Sequence, residues 1–154
     1  MPVKRLEVSE FGAFKAASLE FADGLNVFVG ANGTGKTHMM KLLYVLLETT
    51  RTNSTAAMFD RALAAKLAGV FRPDGDEIGR LVRRKVGLNT ARVEMTTGPA
   101  AGHRPARKTA QRNRVAASFR LYTRGTITPR FVPGAITSRS IFLPTREVLA
   151  MYEG

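Results

Sequence analysis

Apolar and polar positions change period several times along this chain, and each change marks an element. Over residues 3–8, Leu6 and Val8 alternate with Lys4, Arg5 and Glu7, which predicts a half-buried strand. Gly12 interrupts the pattern within Glu10-Phe11-Gly12-Ala13-Phe14, a turn signal. Residues 16–21 predict a second strand with Leu19 and Phe21 on one face, and Ala22-Asp23-Gly24 predicts a tight turn after it. Leu25-Asn26-Val27-Phe28-Val29 is then an apolar, β-branched run that reads as a buried strand.

The period lengthens over residues 38–47, where Met39, Leu42, Leu43, Leu46 and Leu47 form the stripe of a helix. That helix is expected to fade in the polar cluster 49–54, with Thr52, Asn53 or Ser54 capping a second helix over 55–67. Gly69 lies just past its expected end, and Pro73-Asp74-Gly75-Asp76 predicts a loop. A shorter helix is expected over 77–85, with Ile78, Leu81 and Val82 inward and Arg80, Arg83 and Arg84 outward. From residue 90 the alternation returns, predicting strands over 90–96, 115–123, 127–132 and 140–143 in an antiparallel set. Pro144 ends the last of these, and 147–152 opens a further helix. Between the first two, residues 98–113 are rich in Gly, Pro and Arg and read as a flexible loop.

Candidate chemistry sits between the run 25–29 and the helix that follows. Gly30-Ala31-Asn32-Gly33-Thr34-Gly35-Lys36-Thr37 fits G-x-x-x-x-G-K-[ST] without a mismatch. Strand, glycine-rich loop and helix together make a phosphate site, because glycines let backbone N–H groups turn inward around phosphate oxygens. The helix N-terminus adds a partial positive charge. Lys36 is expected to reach the β- and γ-phosphates of ATP, and the Thr37 hydroxyl to bind Mg²⁺, with His38 a helix residue beside the site.

Hydrolysis would also need an acid at the end of a second buried strand, to hold Mg²⁺ and polarise water. The one segment of four apolar residues ending in an acid is Ala56-Ala57-Met58-Phe59-Asp60. It lacks β-branched residues and runs into the helix formers Ala62, Leu63, Ala64, Ala65, Leu67 and Ala68, so it reads as helix. His38 and His103 are too isolated for a metal or catalytic pair.

Composition narrows the class. The 154 residues suffice for one domain with a sizeable core, and a 44% hydrophobic content argues against wholesale disorder. No apolar run reaches the length of a membrane span, and residues 1–7 lack the apolar core of a secretory signal, which fits a cytoplasmic protein. With no cysteine, disulfides, thiolate zinc sites and cysteine nucleophiles are excluded. The net charge of +12 is unevenly spread. Residues 1–50 hold five Lys/Arg against five acids, whereas no acid occurs between Glu94 and Glu147. Nine Lys/Arg lie from Arg104 to Arg139: Arg104, Arg107, Lys108, Arg112, Arg114, Arg120, Arg124, Arg130 and Arg139. This region reads either as a surface for DNA or another polyanion, or as a solvated basic face that meets an acidic partner.

The stretch from Val3 through Phe11, Phe14, Leu19-Glu20-Phe21 and Gly24-Leu25-Asn26 to GANGTGKT resembles the opening of ABC-type ATPase heads. The similar families are the SMC, RecF and OLD-nuclease-like groups, filed as bacterial AAA-family ATPases; Asn32 within the loop is characteristic of that branch. The resemblance implies an α/β P-loop fold, the N-terminal lobe of a head with an antiparallel β-rich arm and an incomplete core sheet. Residues 1–50 would be the hairpin lobe and phosphate loop, 51–90 a helical segment, and 91–154 the basic arm ending near a Q-loop-like position. It further implies that two heads sandwich ATP, and that hydrolysis needs a Walker B strand and signature from a C-terminal half. The isolated chain is thus expected to bind ATP with little or no turnover. At the Q-loop-like position Thr145 replaces the expected Gln, which leaves Glu147 either as a carboxylate near Mg²⁺ or water, or as a helix N-terminal acid. Some relatives place a basic residue after the first aromatic to touch the nucleotide; here Gly12 follows Phe11 and Lys15 is the nearest cation. Two alternatives stand beside this reading. A non-catalytic nucleotide- or nucleic-acid-binding module would use the basic arm as its surface. A small P-loop kinase would ordinarily lack the 29 residues of β structure before Gly30.

Overall fold

The computed structural model describes residues 3–87, 89–98 and 114–137. Alternation becomes pairing in five strands: β1 (Val3–Phe11), β2 (Phe14–Glu20), β3 (Thr90–Thr97), β4 (Arg114–Tyr122) and β5 (Ile127–Phe131). They form one antiparallel sheet in the order β2-β1-β3-β4-β5. Two helices, α1 (Lys36–Thr52) and α2 (Ala56–Phe71), supply the apolar stripes that cover one face. Leu42, Val45 and Leu46 of α1 and Phe59, Leu63 and Leu67 of α2 are fully buried with Leu6, Met95 and Leu121 of the sheet. The Phe59 and Phe131 rings stack at 4.3 Å, tying α2 to the edge strand β5.

The strands predicted over 3–8, 16–21, 90–96, 115–123 and 127–132 are therefore present, within a few residues at each end. Those expected over 140–143 and 147–152, like the loop 98–113 beyond Gly98, lie outside the described residues. The segment 56–60 is helical, as its composition indicated. Thr55 caps α2, accepting from the Met58 N–H at 3.3 Å, in place of the three residues before it. α2 also continues through Gly69 and stops at Arg72, which takes a left-handed conformation (φ 48°).

One backbone feature breaks the two-residue period of β1. Glu10 adopts φ 52°, in the left-handed region that a non-glycine residue rarely enters. The kink resets the alternation, so Val8 and Phe11, three positions apart, are both buried. It also hands the end of the hairpin to a new partner. Arg83 N–H donates to the Glu10 carbonyl at 2.8 Å, Gly12 N–H to the Leu81 carbonyl at 2.7 Å, and Phe11 bridges to Val82. The Lys85 ammonium lies 2.6 Å from the Glu10 carboxylate, which holds the kinked residue from its side chain as well.

Two expectations are corrected. Residues 77–85 do not form a helix; short 3-10 turns cover Asp74–Asp76 and Ile78–Leu81, and Val82 and Arg83 pair with the hairpin instead. The amphipathic stripe was real, since Leu81 and Val82 are buried, but β-pairing of their backbone won over helical hydrogen bonds. Residues 25–29 form no ladder with any described strand, and Leu25, Val27 and Val29 are 88%, 71% and 90% exposed. A run of this composition becomes a buried strand only with neighbours on its edges, and the described residues supply none.

Gly79 packs against the backbone of the β4–β5 turn, where a β-carbon would run into the Thr123 carbonyl oxygen. Gly79→Ala is accordingly expected to cost about 1–3 kcal/mol through overpacking against backbone. Urea unfolding should show a lower midpoint at unchanged slope.

Candidate phosphate-binding site

The glycine loop runs from Gly30 into the first turn of α1, and its local geometry follows from its residues. Gly33 (φ 82°) and Gly35 (φ 90°) both occupy the left-handed region that a β-carbon disfavours. Gly35 is the N-cap of α1 and contributes no side-chain hydrogen bond there. The first helical bond runs from Met39 N–H to the Gly35 carbonyl at 3.0 Å. The N–H groups of Lys36, Thr37 and His38 consequently have no acceptor among the described residues. Three unsatisfied donors at the positive end of a 17-residue helix make a site suited to an anion.

Lys36 and Thr37 stand at the same end. The Lys36 ammonium donates to the Gly30 and Ala31 carbonyls, each at 2.7 Å, so the side chain folds back across the loop it follows. Thr34 Oγ1 donates to the Ala31 carbonyl at 2.9 Å and tightens the turn between them. Thr37 is exposed at the helix start, its hydroxyl free of any described partner. Asn32 and Gly33 are exposed at the loop tip. The structure thus brings together the residues from Gly30 to Thr37 at one helix end. The same donors fit a nucleotide's phosphates, and the Thr37 hydroxyl is the oxygen available to Mg²⁺.

Two neighbours went unmarked in the sequence. Phe14, from the start of β2, lies over Gly35, where a β-carbon would come within 2.6 Å of its ring. The signal was available: Phe11 and Phe14 flank the hairpin turn, but their spacing alone does not say what they cover. Gly12 is the second neighbour, since a β-carbon on it would lie 3.4 Å from the His38 ring. His38 sits 5.6 Å from Phe71 as a ring pair, so it helps pack the hairpin tip and the end of α2 near the loop. Partial burial, and then the Lys41 charge, lower its pKa from the ordinary 6.5.

The candidate acids are not gathered here. Asp60 is exposed on α2, and Glu147 lies outside the described residues. Among the described residues, no group of three His, Asp or Glu side chains is placed to hold a metal. No helix there is long and apolar enough to cross a membrane.

Residues 1–90 match the family described as AAA ATPase domain. Among curated proteins, the chain is 40% identical over 60 residues to the DNA replication and repair protein RecF of Acidothermus cellulolyticus, covering 38% of this chain and 16% of the relative. It is 31% identical over 91 residues to the RecF of Bacillus velezensis, covering 56% of this chain and 25% of the relative. The aligned region thus spans a quarter or less of these relatives' lengths. Among solved structures, a chain described in terms of ATP-driven dimerization and DNA-stimulated activation of SMC ATPases superposes with a TM-score of 0.54 at 21% identity. That superposition covers 83% of this chain and 68% of the other. The architecture is that of the N-terminal part of an SMC-like ATPase head, the fold class that the first 50 residues resemble.

Two substitutions test the local geometry. Gly35→Ala should destabilise the loop through both the Phe14 contact and the left-handed backbone. Adding Phe14→Ala should recover the steric part and leave about 1–2 kcal/mol from the backbone alone, read by thermal melts of single and double variants. For His38, the folded pKa is the lower one, so the unfolded chain binds the extra proton first. Stability should therefore fall as pH drops below 6.5 and level off once the folded protein is also protonated, and His38→Gln should remove that component of the pH profile.

Proposed function

Because the chain belongs to the AAA ATPase domain family, we propose that it binds ATP with Mg²⁺ at Gly30-Ala31-Asn32-Gly33-Thr34-Gly35-Lys36-Thr37. The observation that carries this reading is the start of α1, where three free N–H groups, the Lys36 ammonium and the Thr37 hydroxyl share one helix end. On binding, Lys36 exchanges the Gly30 and Ala31 carbonyls for β- and γ-phosphate oxygens, an exchange of neutral for charged acceptors that favours the nucleotide. Mg²⁺ bridges phosphate oxygens and neutralises their charge, and the chain's part is to present the Thr37 hydroxyl to it. His38 keeps the hairpin tip and α2 packed beside the loop and has no catalytic part.

Turnover, in this reading, belongs to a complete head. The unpaired run 25–29 supports this: its exposed Leu25, Val27 and Val29 are the composition of a central strand awaiting neighbours. Those neighbours would come from segments beyond the described residues, including a C-terminal half that supplies the Walker B acid and the signature. A second head would then close over the nucleotide. The RecF relatives and the SMC structure are consistent with such an assembly and with a DNA-linked role.

Nucleotide titration of the parent chain and two variants tests the site. Lys36→Ala should weaken ATP binding at least tenfold, by removing a charge-assisted contact worth about 1.5–3 kcal/mol. Thr37→Ala should mainly blunt the dependence on Mg²⁺. Equal affinity in the parent and Lys36→Ala would overturn the assignment. In steady-state assays the 154-residue chain should release little or no phosphate. Robust hydrolysis abolished by Lys36→Ala would show a catalytic acid within this chain, with Glu147 the first to substitute.

A further inference from the structure

The helices cover one face of the sheet, and the other face carries an arrangement separate from the glycine loop. Outward positions there line up across strands: Arg92 of β3 stands directly opposite Arg120 of β4, Arg120 opposite Thr128 of β5, and Ser118 opposite Arg130. These residues and Ser9 line a shallow depression in the sheet surface. Arg92, Arg120 and Arg130 are exposed, and none makes an ion pair or side-chain hydrogen bond to a described residue. Like charges directly opposite on neighbouring strands are destabilising, so Arg92 facing Arg120 is a cost that folding alone does not explain.

Acids lie on one side only. Glu7 and Glu94 face each other in the next row toward β1, and Glu7 is already paired with Arg5 at 3.3 Å. β4 and β5 hold no acidic residue, and the turn between them adds Arg124. The positive character therefore grows toward the β5 edge, and hydroxyls from Ser118 and Thr128 stand between the guanidiniums as neutral donors.

We infer that this sheet face, through Arg92, Arg120 and Arg130, binds the phosphate backbone of duplex nucleic acid. Guanidiniums grip phosphate oxygens bidentately, and strands about 4.8 Å apart with outward residues about 6.8 Å apart along each strand give a grid of donors. The face is polar and positive, as nucleic-acid interfaces are, and lacks the buried aromatic or aliphatic centre that anchors a protein partner. Stacking contributes little, because the exposed aromatic on the face is Tyr122 at its margin. Binding is thus by backbone, without sequence preference. The inference moves the polyanion surface expected over Arg104–Arg139 onto the sheet and adds Arg92, which lies outside that range; residues 104–113 and 139 themselves are not among those described.

The test measures anisotropy of a labelled 30-base-pair duplex against salt for the full chain, with polyglutamate as a second probe. The triple variant Arg92→Gln/Arg120→Gln/Arg130→Gln is compared with Arg61→Gln/Lys66→Gln/Arg84→Gln, which removes the same charge elsewhere. Each phosphate contact contributes about 0.9 to the slope of log affinity against log salt, so the sheet-face triple should flatten that slope by nearly 3 and lower affinity at least tenfold. The control should leave the slope within experimental error. Melting temperatures of the sheet-face triple should be equal to or above the parent, because a repulsive pair has been removed. Equal losses in both triples would show only net charge at work and overturn the proposal. So would absence of salt-dependent duplex binding by the parent, or binding of polyglutamate in preference to duplex, which would point to an acidic protein partner.

Discussion

The placement of the glycine loop depends on one buried ring. Phe11 is fully buried, with Phe71 at 5.4 Å and Phe119 at 6.3 Å, both in edge-on geometry. It joins the hairpin β1–β2 to the end of α2 and to β4 in a single contact set. Phe11 reaches that position because Glu10 takes a left-handed backbone conformation, a local strain offset by hydrogen bonds to the 81–83 segment and by Lys85. Held this way, the hairpin tip lays Phe14 on Gly35 and Gly12 beside His38. The loop's start of helix is therefore positioned by the sheet, even though the residues before it pair with nothing described.

That unpaired stretch sets the other physical boundary. Leu25, Val27 and Val29 leave three large apolar side chains in water, each worth about 1.5–3 kcal/mol if buried. The antiparallel sheet and the two helices satisfy each other without it. The molecule thus combines a self-sufficient two-layer core with a phosphate loop whose own strand still lacks neighbours among the described residues. An anion at the α1 N-terminus would act on the least supported end of the structure, so nucleotide binding and completion of the sheet should reinforce each other.

Charge is divided along the same lines. The hairpin lobe balances its charges, and its cations are taken: Lys4 pairs with Asp23 at 2.7 Å, and Arg5 with Glu20 at 2.6 Å. The arginines of β3, β4 and β5 on the outer face are not so matched. Two chemically different anion-attracting features therefore sit on one small fold, a set of backbone amides at a helix end and a grid of guanidiniums on a sheet.

The sequence by itself was enough for everything that depends on local spacing. GANGTGKT specified a glycine loop at a helix start, alternation located five strands within a few residues, and Ala56–Phe71 read correctly as helix against its Walker-B-like ending at Asp60. The same local rules failed where a distant partner intervened. Residues 77–85 carry a helical stripe, yet their backbone pairs with a hairpin some 70 positions earlier, and Gly79 is claimed by the β4–β5 turn. Residues 25–29 have a strand's composition, yet a strand exists only with neighbours to receive its hydrogen bonds. Phe14 on Gly35, and Arg92 opposite Arg120, likewise arise from register between segments far apart in the chain. Periodicity reports which face a residue prefers; only the folded chain decides what that face meets, because hydrogen-bond partners and close contacts are set across the sheet and not along it.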